Sequence, residues 1–153
     1  LTCPFVLYSD FLWRLFSMHH TKDKGDLGVL KAQADLNQQG YQILVPLTEH
    51  APFDIVVYRN GKFKRVQVKY KSLDTEGKLE INFRSNWADR KGTHTKIVDK
   101  KSIDLYCVYC PETDECYYID PKKFRGTACL RVKTPKNNQR KFVKMAFDYR
   151  RVP

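Results

Sequence analysis

The sequence predicts a mixed α/β (α+β) domain in which an N-terminal helix packs against a β-sheet. Three observations lead to this fold class: a helical segment near the start, a run of strand-like segments after it, and an Asn60-Gly61 hairpin turn. A helix followed by consecutive strands differs from the strict alternation of helices and strands in a doubly wound fold. The length of 153 residues suits one domain with one core.

The predicted helix runs from Asp26 to about Gln39. Asp26 can cap the first turn, and Gly40 can end the helix in a left-handed conformation. Apolar residues recur at helical spacing between these ends: Leu27, Leu30 and Ala34, widened by Leu36. This stripe is the predicted contact between the helix and the sheet.

Strand-like segments fill most of the remaining chain. They lie at residues 41–45, 53–58, 62–71, 78–83, 103–110, 115–119 and 128–133. Residues 84–101 are polar and basic and contain Gly92, which predicts a long loop. Residues 121–125 are predicted to form a short helix, and the tail from 134 to 153 is basic and weakly amphipathic.

The charge balance indicates a polyanionic partner. Lys and Arg total 28 against 17 acidic residues, which gives a net charge of +11 and a pI near 9.5. DNA or RNA is the commonest partner of a small domain this basic. A solvated basic surface without a partner is the alternative.

The cysteines favour buried free thiols. There are five of them, and an odd number argues against a disulfide framework. Cys107-x-x-Cys110 followed by Cys116 raises the alternative of a zinc site, but the second pair of ligands is missing. Cys107 also lies within a strand-like run, where a buried thiol is the better interpretation.

The first 17 residues are predicted to be an upstream extension. They are apolar, but Asp10 and Arg14 and their short length argue against a membrane span. They also lack the basic start and small-residue cleavage site of a signal peptide. Met18 is a candidate natural start, and residues 18–153 then form the single domain.

The hairpin predicts a polar cluster on one side of the sheet. In a two-residue type I′ loop at Asn60-Gly61, Arg59 faces Lys62. The same register sets Asp54 opposite Gln67 and places Lys69 on their face. The other face is apolar and should join the core: Phe53, Ile55, Val57, Val66 and Val68.

This cluster has the donors of a magnesium site. Asp54 supplies a hard oxygen, the Gln67 amide oxygen a weaker ligand, and the Val68 carbonyl a third. Lys69 can orient or help deprotonate an attacking water and offset charge growing on a phosphate. A surface hairpin whose polar face meets only water is the alternative.

The same residues resemble a known family. Pro52-Phe53-Asp54 followed by Gln67-Val68-Lys69 resembles the PD-(D/E)XK nuclease motif, with Gln in the acidic slot. The flanking motifs extend the likeness from about Lys24 to Tyr149: Lys24-Gly25-Asp26-Leu27-Gly28, Gly40-Tyr41, Phe53-Asp54-Ile55-Val56, Val66-Gln67-Val68-Lys69 and Asn137-Asn138-Gln139-Arg140-Lys141. They resemble a bacterial and cyanobacterial branch that includes a cyanobacterial group I intron-encoded homing endonuclease.

The resemblance implies a restriction-endonuclease-like core, with the helix on a central mixed β-sheet, and Mg²⁺-dependent, sequence-specific cleavage of double-stranded DNA. Mn²⁺ is expected to substitute for Mg²⁺, and Ca²⁺ to support binding without cleavage. The expected target is long and pseudo-palindromic, and the expected assembly is a homo-oligomer, a tetramer rather than a dimer. The expected location is the bacterial cytoplasm, at the nucleoid and not at the membrane.

The chain departs from the branch at one site position. The resemblance places a Glu on the first helix after the Lys-Gly-Asp-x-Gly motif, and this chain has Val29 there. Valine cannot bind a metal or hold a water. Either Asp54 and Gln67 act without that Glu, or the position was changed, naturally or by engineering, in a way that silences cleavage.

Basic and polar clusters supply candidate DNA contacts. Arg and Asn can read base edges, whereas Lys and His suit phosphates. The candidates lie on the first helix, the hairpin, the loop at 84–101 and the tail: Lys24, Arg65, Lys71, Arg84, Asn86, Trp87, Arg90, Lys91, His94, Lys96, Lys101, Asn138, Arg140 and Lys141. Trp87 could instead anchor the loop or an oligomer contact.

Three other functions compete with a homing-type endonuclease. A structure-specific nuclease would cut branched or damaged DNA instead of one long site. A nuclease-derived protein could bind DNA without cutting it, which Val29 favours. An RNA-binding domain is disfavoured because the sequence lacks an RNP-type aromatic motif.

Overall fold

The computed structural model describes residues 20–48, 50–97, 99–134 and 141–153, with the backbone alone at residues 20, 85–88 and 96. The predicted extension at 1–17 lies outside the described residues. The elements follow in the order α1 (His20–Gln38), β1 (Gln42–Leu44), β2 (Ile55–Arg59), β3 (Lys62–Tyr70), β4 (Lys78–Asn82), β5 (Arg84–Asp89), β6 (Gly92–Ile97), β7 (Leu105–Cys110), β8 (Glu115–Ile119) and β9 (Thr127–Arg131). Short 3-10 helices lie at Pro121–Lys123 and Ala146–Tyr149.

The first helix ends where the sequence predicted but begins earlier. Gly40 has a φ of +82°, and the Tyr41 N–H donates to the Leu36 carbonyl at 3.0 Å. The prediction that Asp26 caps the helix was wrong, because α1 already includes His20. The first turns are almost entirely polar, so the apolar stripe on which the prediction depended does not extend to them.

Five strands form one mixed sheet in the order β1-β2-β3-β7-β8. β3 and β7 run parallel, while the other neighbouring strands are antiparallel. The predicted fold class is confirmed, since one N-terminal helix packs on this sheet through Ala32 and Leu36, both fully buried. The predicted contact stripe was wrong except at Leu36, because Leu27 and Leu30 are exposed, as is Ala34. The face that meets the sheet instead follows the four-residue spacing of one helix face and carries Gly28, Ala32 and Leu36.

The sheet separates two apolar clusters. The cluster beneath α1 includes four of the five residues on the predicted apolar side of the hairpin: Ile55, Val57, Val66 and Val68. The prediction was wrong for Phe53, which precedes β2, is only half-buried and belongs to neither of the two clusters. The opposite cluster is covered by β4 and β9, which pair with each other. Cys107 belongs to the first cluster and Cys110 to the second, so they point to opposite faces of β7 and cannot share a zinc ion.

Residues 84–101 are not the predicted long loop. β5 and β6 pair from Arg84↔Ile97 to Asp89↔Gly92 and form a two-stranded ribbon. The prediction failed because it looked for alternating apolar residues, whereas backbone hydrogen bonds join two largely polar strands here.

The described part of the tail packs on the domain. Ala146 is buried, Met145 forms a bridge with Arg131, and Val152 packs against the cluster beneath α1. Arg150 pairs with Glu115 at 2.7 Å. Residues 141–153 are therefore part of the fold, and no helix among the described residues has the length and apolarity to cross a membrane.

Candidate active site

The Asn60-Gly61 turn sets the register of the site. Both residues have positive φ, 51° at Asn60 and 77° at Gly61, as a type I′ turn requires. Arg59 faces Lys62, as the sequence predicted. The pairing reaches Ile55 opposite Val66, and Asp54 lies one residue beyond it.

Asp54 and Gln67 meet across the hairpin. The Asp54 Oδ2 atom accepts hydrogen bonds from Gln67 Nε2 and from the Val68 N–H, each at 2.6 Å. Burial raises the pKa of Asp54, although the Val68 N–H and the charge of Lys69 oppose the rise. This carboxylate is therefore partly desolvated and held in one orientation, as expected of a preorganised site.

Lys69 lies two residues after Gln67 on the same face of β3. Its ammonium lies 3.4 Å from the Arg84 carbonyl oxygen, where β5 begins. Burial lowers the pKa of Lys69. The negative charge of Asp54 opposes this decrease, and the positive charge of Lys71 lowers the pKa further. Lys69 is thus a half-buried amine between the acid of the site and the base of the ribbon.

Tyr106 is a site residue that the sequence analysis did not single out. It faces Gln67 in the parallel pairing of β3 with β7, and the Lys69 Nζ lies 5.7 Å from its ring centroid. Burial, followed by the charge of Asp54, raises the pKa of Tyr106 to about 12. A sequence shows alternation within a strand but not which distant strand lies beside it, so no signal marked Tyr106.

The donor set fits a hard divalent cation. Among the described residues, nothing donates a hydrogen bond to Asp54 Oδ1, so this carboxylate oxygen is free to act as a ligand. The Asp54 N–H donates to the Val66 carbonyl at 3.0 Å. The pairing of β2 with β3 ends with Ile55 opposite Val66, two residues before Val68. Asp54, Gln67 and the Val68 carbonyl are all oxygen ligands, as Mg²⁺ prefers.

The carboxylate content of this site is low. Within the described ranges, no group of three His, Cys, Asp or Glu side chains could hold a metal. Val29 is half-buried and packs against the cluster beneath α1. The position at which the resemblance places a Glu thus carries an apolar side chain here, and the candidate site has one carboxylate together with neutral oxygens.

A cleft of about 460 Å³ adjoins Lys69. Its lining includes the basic residues Lys71 and Arg84 and the polar side chains of Glu80, Asn82 and Thr95. The cleft is therefore bounded by β3, β4 and the ribbon β5–β6. Two predicted DNA contacts, Lys71 and Arg84, line it beside the candidate catalytic lysine.

The ribbon carries several of the other predicted DNA contacts. Arg90 and Lys91 are exposed in the turn between its strands. His94 contacts Asp89 at 3.0 Å. The remaining members lie on the strands, where the structure gives their backbone positions: Asn86, Trp87 and Lys96.

The other predicted contacts are dispersed. Arg65 is held by Asp104 through bonds of 2.9 and 3.0 Å, and it also donates to the Lys101 carbonyl at 2.8 Å. Its guanidinium therefore has protein partners, and its predicted contact with DNA stays a prediction. Lys24 lies 5.8 Å from the Tyr70 ring centroid, and Lys101 and Lys141 are exposed. Asn138 and Arg140 lie outside the described residues.

Comparisons with known proteins identify the family and the fold. A family model for the PD-(D/E)XK endonuclease matches residues 19–152. The solved structure of a bacterial homing endonuclease, I-Ssp6803I, is similar in fold, with a TM-score of 0.69 over 86% of this chain and 88% of that chain at 22% identity. A search of curated proteins found no match. The match over almost the whole chain confirms the predicted superfamily, and the protein belongs to the PD-(D/E)XK endonuclease family.

Proposed function

We propose that the protein is a Mg²⁺-dependent endonuclease that hydrolyses phosphodiester bonds in double-stranded DNA. One observation carries this proposal: the Asp54 carboxylate accepts 2.6 Å bonds from Gln67 and Val68, and Lys69 follows on the same face. An acid, an amide, a carbonyl and a half-buried amine are thereby gathered at one end of the hairpin.

Each residue has a chemical role in this proposal. Asp54, Gln67 and the Val68 carbonyl would hold the cation. Once bound, Mg²⁺ supplies Lewis-acid activation of the phosphate and of a water. Lys69 would orient that water, and in its neutral form it would accept a proton from the water, since burial lowers the pKa of its amine. In its protonated form it offsets negative charge on the phosphate.

The proposed DNA path follows the basic cleft and the ribbon. Lys71 and Arg84 line the cleft next to Lys69, and the ribbon turn presents Arg90 and Lys91 to solvent. The major groove of B-DNA is wide enough to admit a two-stranded β-ribbon. The net charge of +11 favours phosphate contacts along this surface.

We further propose site-specific cleavage of the homing type. The fold likeness to a bacterial homing endonuclease supports this substrate class. Cutting both strands at defined positions requires at least two active sites, which favours a homo-oligomer with symmetry-related sites on a pseudo-palindromic target. A tetramer is the assembly that we expect from the branch.

A catalytically silent DNA-binding protein is the second candidate. Val29 favours it, because its side chain packs against the core and offers no ligand at a position where the branch has Glu. Binding would then persist through the basic surface, while cleavage would be lost.

A panel of substrates separates these functions. Plasmids that carry a library of inserts and synthetic branched junctions are incubated with the protein in Mg²⁺, and binding is measured beside them in Ca²⁺. Discrete cuts that disappear in Asp54→Asn support a site-specific endonuclease. Cuts confined to branched DNA support a structure-specific nuclease, binding without cuts supports the silent protein, and absence of binding contradicts every DNA-based proposal.

A further inference from the structure

Tyr106 has a buried hydroxyl group with no hydrogen-bond partner among the described residues. Only 1% of this residue is exposed. Two other fully buried tyrosines are satisfied: the Tyr117 hydroxyl contacts Thr113 at 3.1 Å and Glu115 at 2.9 Å, and the Tyr118 hydroxyl donates to Asp35. Buried polar groups normally have partners, so an exception in a native fold calls for an explanation.

The position of Tyr106 supplies a partner. Strand order places Asp54, Gln67 and Tyr106 side by side on neighbouring strands, with Gln67 in the middle. The Tyr106 ring packs against Phe83, with ring centroids 5.0 Å apart, which keeps the side chain on this face. Tyr106 therefore lies on the side of Gln67 away from Asp54.

The Gln67 amide has two possible orientations. In this structure its nitrogen faces Asp54, so its oxygen is turned away from the carboxylate. To share a cation with Asp54, the amide must rotate about its last side-chain bond and present the oxygen. Its N–H₂ group then points away from Asp54 and needs an acceptor, because an amide N–H₂ donates only.

We propose that Tyr106 is a positioning residue whose hydroxyl oxygen accepts a hydrogen bond from Gln67 Nε2 when the Gln67 amide turns its oxygen towards the cation. This inference rests on the proposed metal-dependent function. It explains why the buried hydroxyl has no partner among the described residues. It also explains how a neutral amide serves at a position that is acidic in the family motif.

The chemistry of the phenol suits this role. Burial and the charge of Asp54 raise the pKa of Tyr106 to about 12, so the group stays neutral at physiological pH and adds no charge beside the carboxylate. A neutral hydrogen bond contributes about 0.5–1.5 kcal/mol. Its loss should weaken cation binding by about threefold to tenfold.

The test compares Tyr106→Phe with Tyr117→Phe as a matched control. Both variants lose one buried tyrosine hydroxyl, but of the two only Tyr117 has hydrogen-bond partners among the described residues. Thermal unfolding is followed without metal and over a Mg²⁺ titration, since a ligand that binds the folded state raises the transition temperature. Asp54→Asn supplies the control for binding at the proposed site.

The expected results are opposite for the two variants. Tyr106→Phe should unfold at the same temperature as the wild type or higher without metal, but require about threefold to tenfold more Mg²⁺ for the same stabilisation. Tyr117→Phe should be less stable without metal and keep the wild-type Mg²⁺ dependence. Two outcomes overturn the role of Tyr106. One is that Mg²⁺ stabilises the wild type and Tyr106→Phe equally. The other is that Tyr106→Phe, measured without metal, is destabilised as much as Tyr117→Phe. Mg²⁺ that fails to stabilise the wild type, or that stabilises Asp54→Asn as well, overturns the proposed metal site itself.

Discussion

The side-chain amide of Gln67 donates a 2.6 Å hydrogen bond to the Asp54 carboxylate across two antiparallel strands. The Val68 N–H reaches the same carboxylate oxygen. These contacts join the two halves of the PD-(D/E)XK motif, which lie 13 residues apart in sequence. The positions of the proposed ligands therefore depend on the hairpin register, and their pKa values depend on burial and on neighbouring charges.

The position of Val29 leads to the first prediction. We expect Val29→Glu to raise DNA nicking in Mg²⁺, because the resemblance to the homing-endonuclease branch places a carboxylate of the site at this position, and carboxylates are the ligands that Mg²⁺ prefers. The measurement is the rate of conversion of supercoiled plasmid to the nicked form. Val29→Gln is the matched control, since it has similar length without charge. An unchanged nicking rate with intact DNA binding would defeat the prediction.

The ion pair of Arg65 with Asp104 leads to a pH prediction. The hydrogen bonds from Arg65 lower the pKa of Asp104, so the folded protein favours the ionised carboxylate. This contribution to stability is present above the pKa of Asp104 in the unfolded chain and is lost as the pH falls through the lower folded pKa.

We expect Asp104→Asn to lower the free energy of unfolding by about 1 kcal/mol at neutral pH, a figure discounted for the partly exposed pair. The deficit should shrink in acid, below the ordinary range of aspartate pKa values. Urea unfolding at both pH values measures it. A deficit of equal size at both would show that the pair contributes nothing through charge.

Glycine substitutions test the turn that sets the register. Gly61 has a φ of +77° and Gly25 lies in α1, each with nothing within 4 Å of an added Cβ. We expect Gly61→Ala to destabilise the protein by about 1–2 kcal/mol, because alanine is strained at positive φ. Gly25→Ala should stabilise it by about 0.5–1 kcal/mol, since alanine favours helix. Denaturant titrations give both values, and equal effects in the same direction would contradict the assigned turn.

The ribbon turn should contribute phosphate contacts. We expect Arg90→Ala and Lys91→Ala to weaken DNA binding similarly on all sequences, and each to reduce the slope of log affinity against log salt by about 1. Lys123→Ala is the control, because Lys123 is an exposed lysine on a different element, the short 3-10 helix Pro121–Lys123. If the salt dependence of affinity in both variants has the wild-type slope, the ribbon turn is not part of the DNA-binding surface.

Local signals predicted the parts of the site that lie close in sequence. The Asn60-Gly61 turn fixed the register of one hairpin, and alternation along the strands then placed Asp54, Gln67 and Lys69 on one face. Tyr106 escaped prediction, because its position depends on parallel pairing between β3 and β7, which are separated by 34 residues. The ribbon at 84–97 was not predicted either, since polar strands that are joined by backbone hydrogen bonds show no periodic pattern of apolar residues.

Arg65 shows a second limit of prediction from the sequence. Its predicted place on the face of Gln67 follows from the register, but alternation does not reveal that Asp104 lies within bonding distance. The pairing of β3 with β7 brings Asp104 to Arg65, and the Asp104 N–H also donates to the Arg65 carbonyl at 3.0 Å. A charged residue on the predicted active face can therefore stabilise the fold without meeting the substrate.

The central claim is that Lys69, beside Asp54 and Gln67, belongs to a nuclease active site. Single-turnover cleavage of a plasmid that contains the cut site, measured in Mg²⁺ with the wild type, Lys69→Ala and Lys62→Ala, tests it most directly. Lys62 is an exposed lysine at the other end of β3. We expect Lys69→Ala to slow cleavage by about a hundredfold or more while binding in Ca²⁺ persists, and Lys62→Ala to cut like the wild type. Cleavage by Lys69→Ala at the wild-type rate would contradict the account.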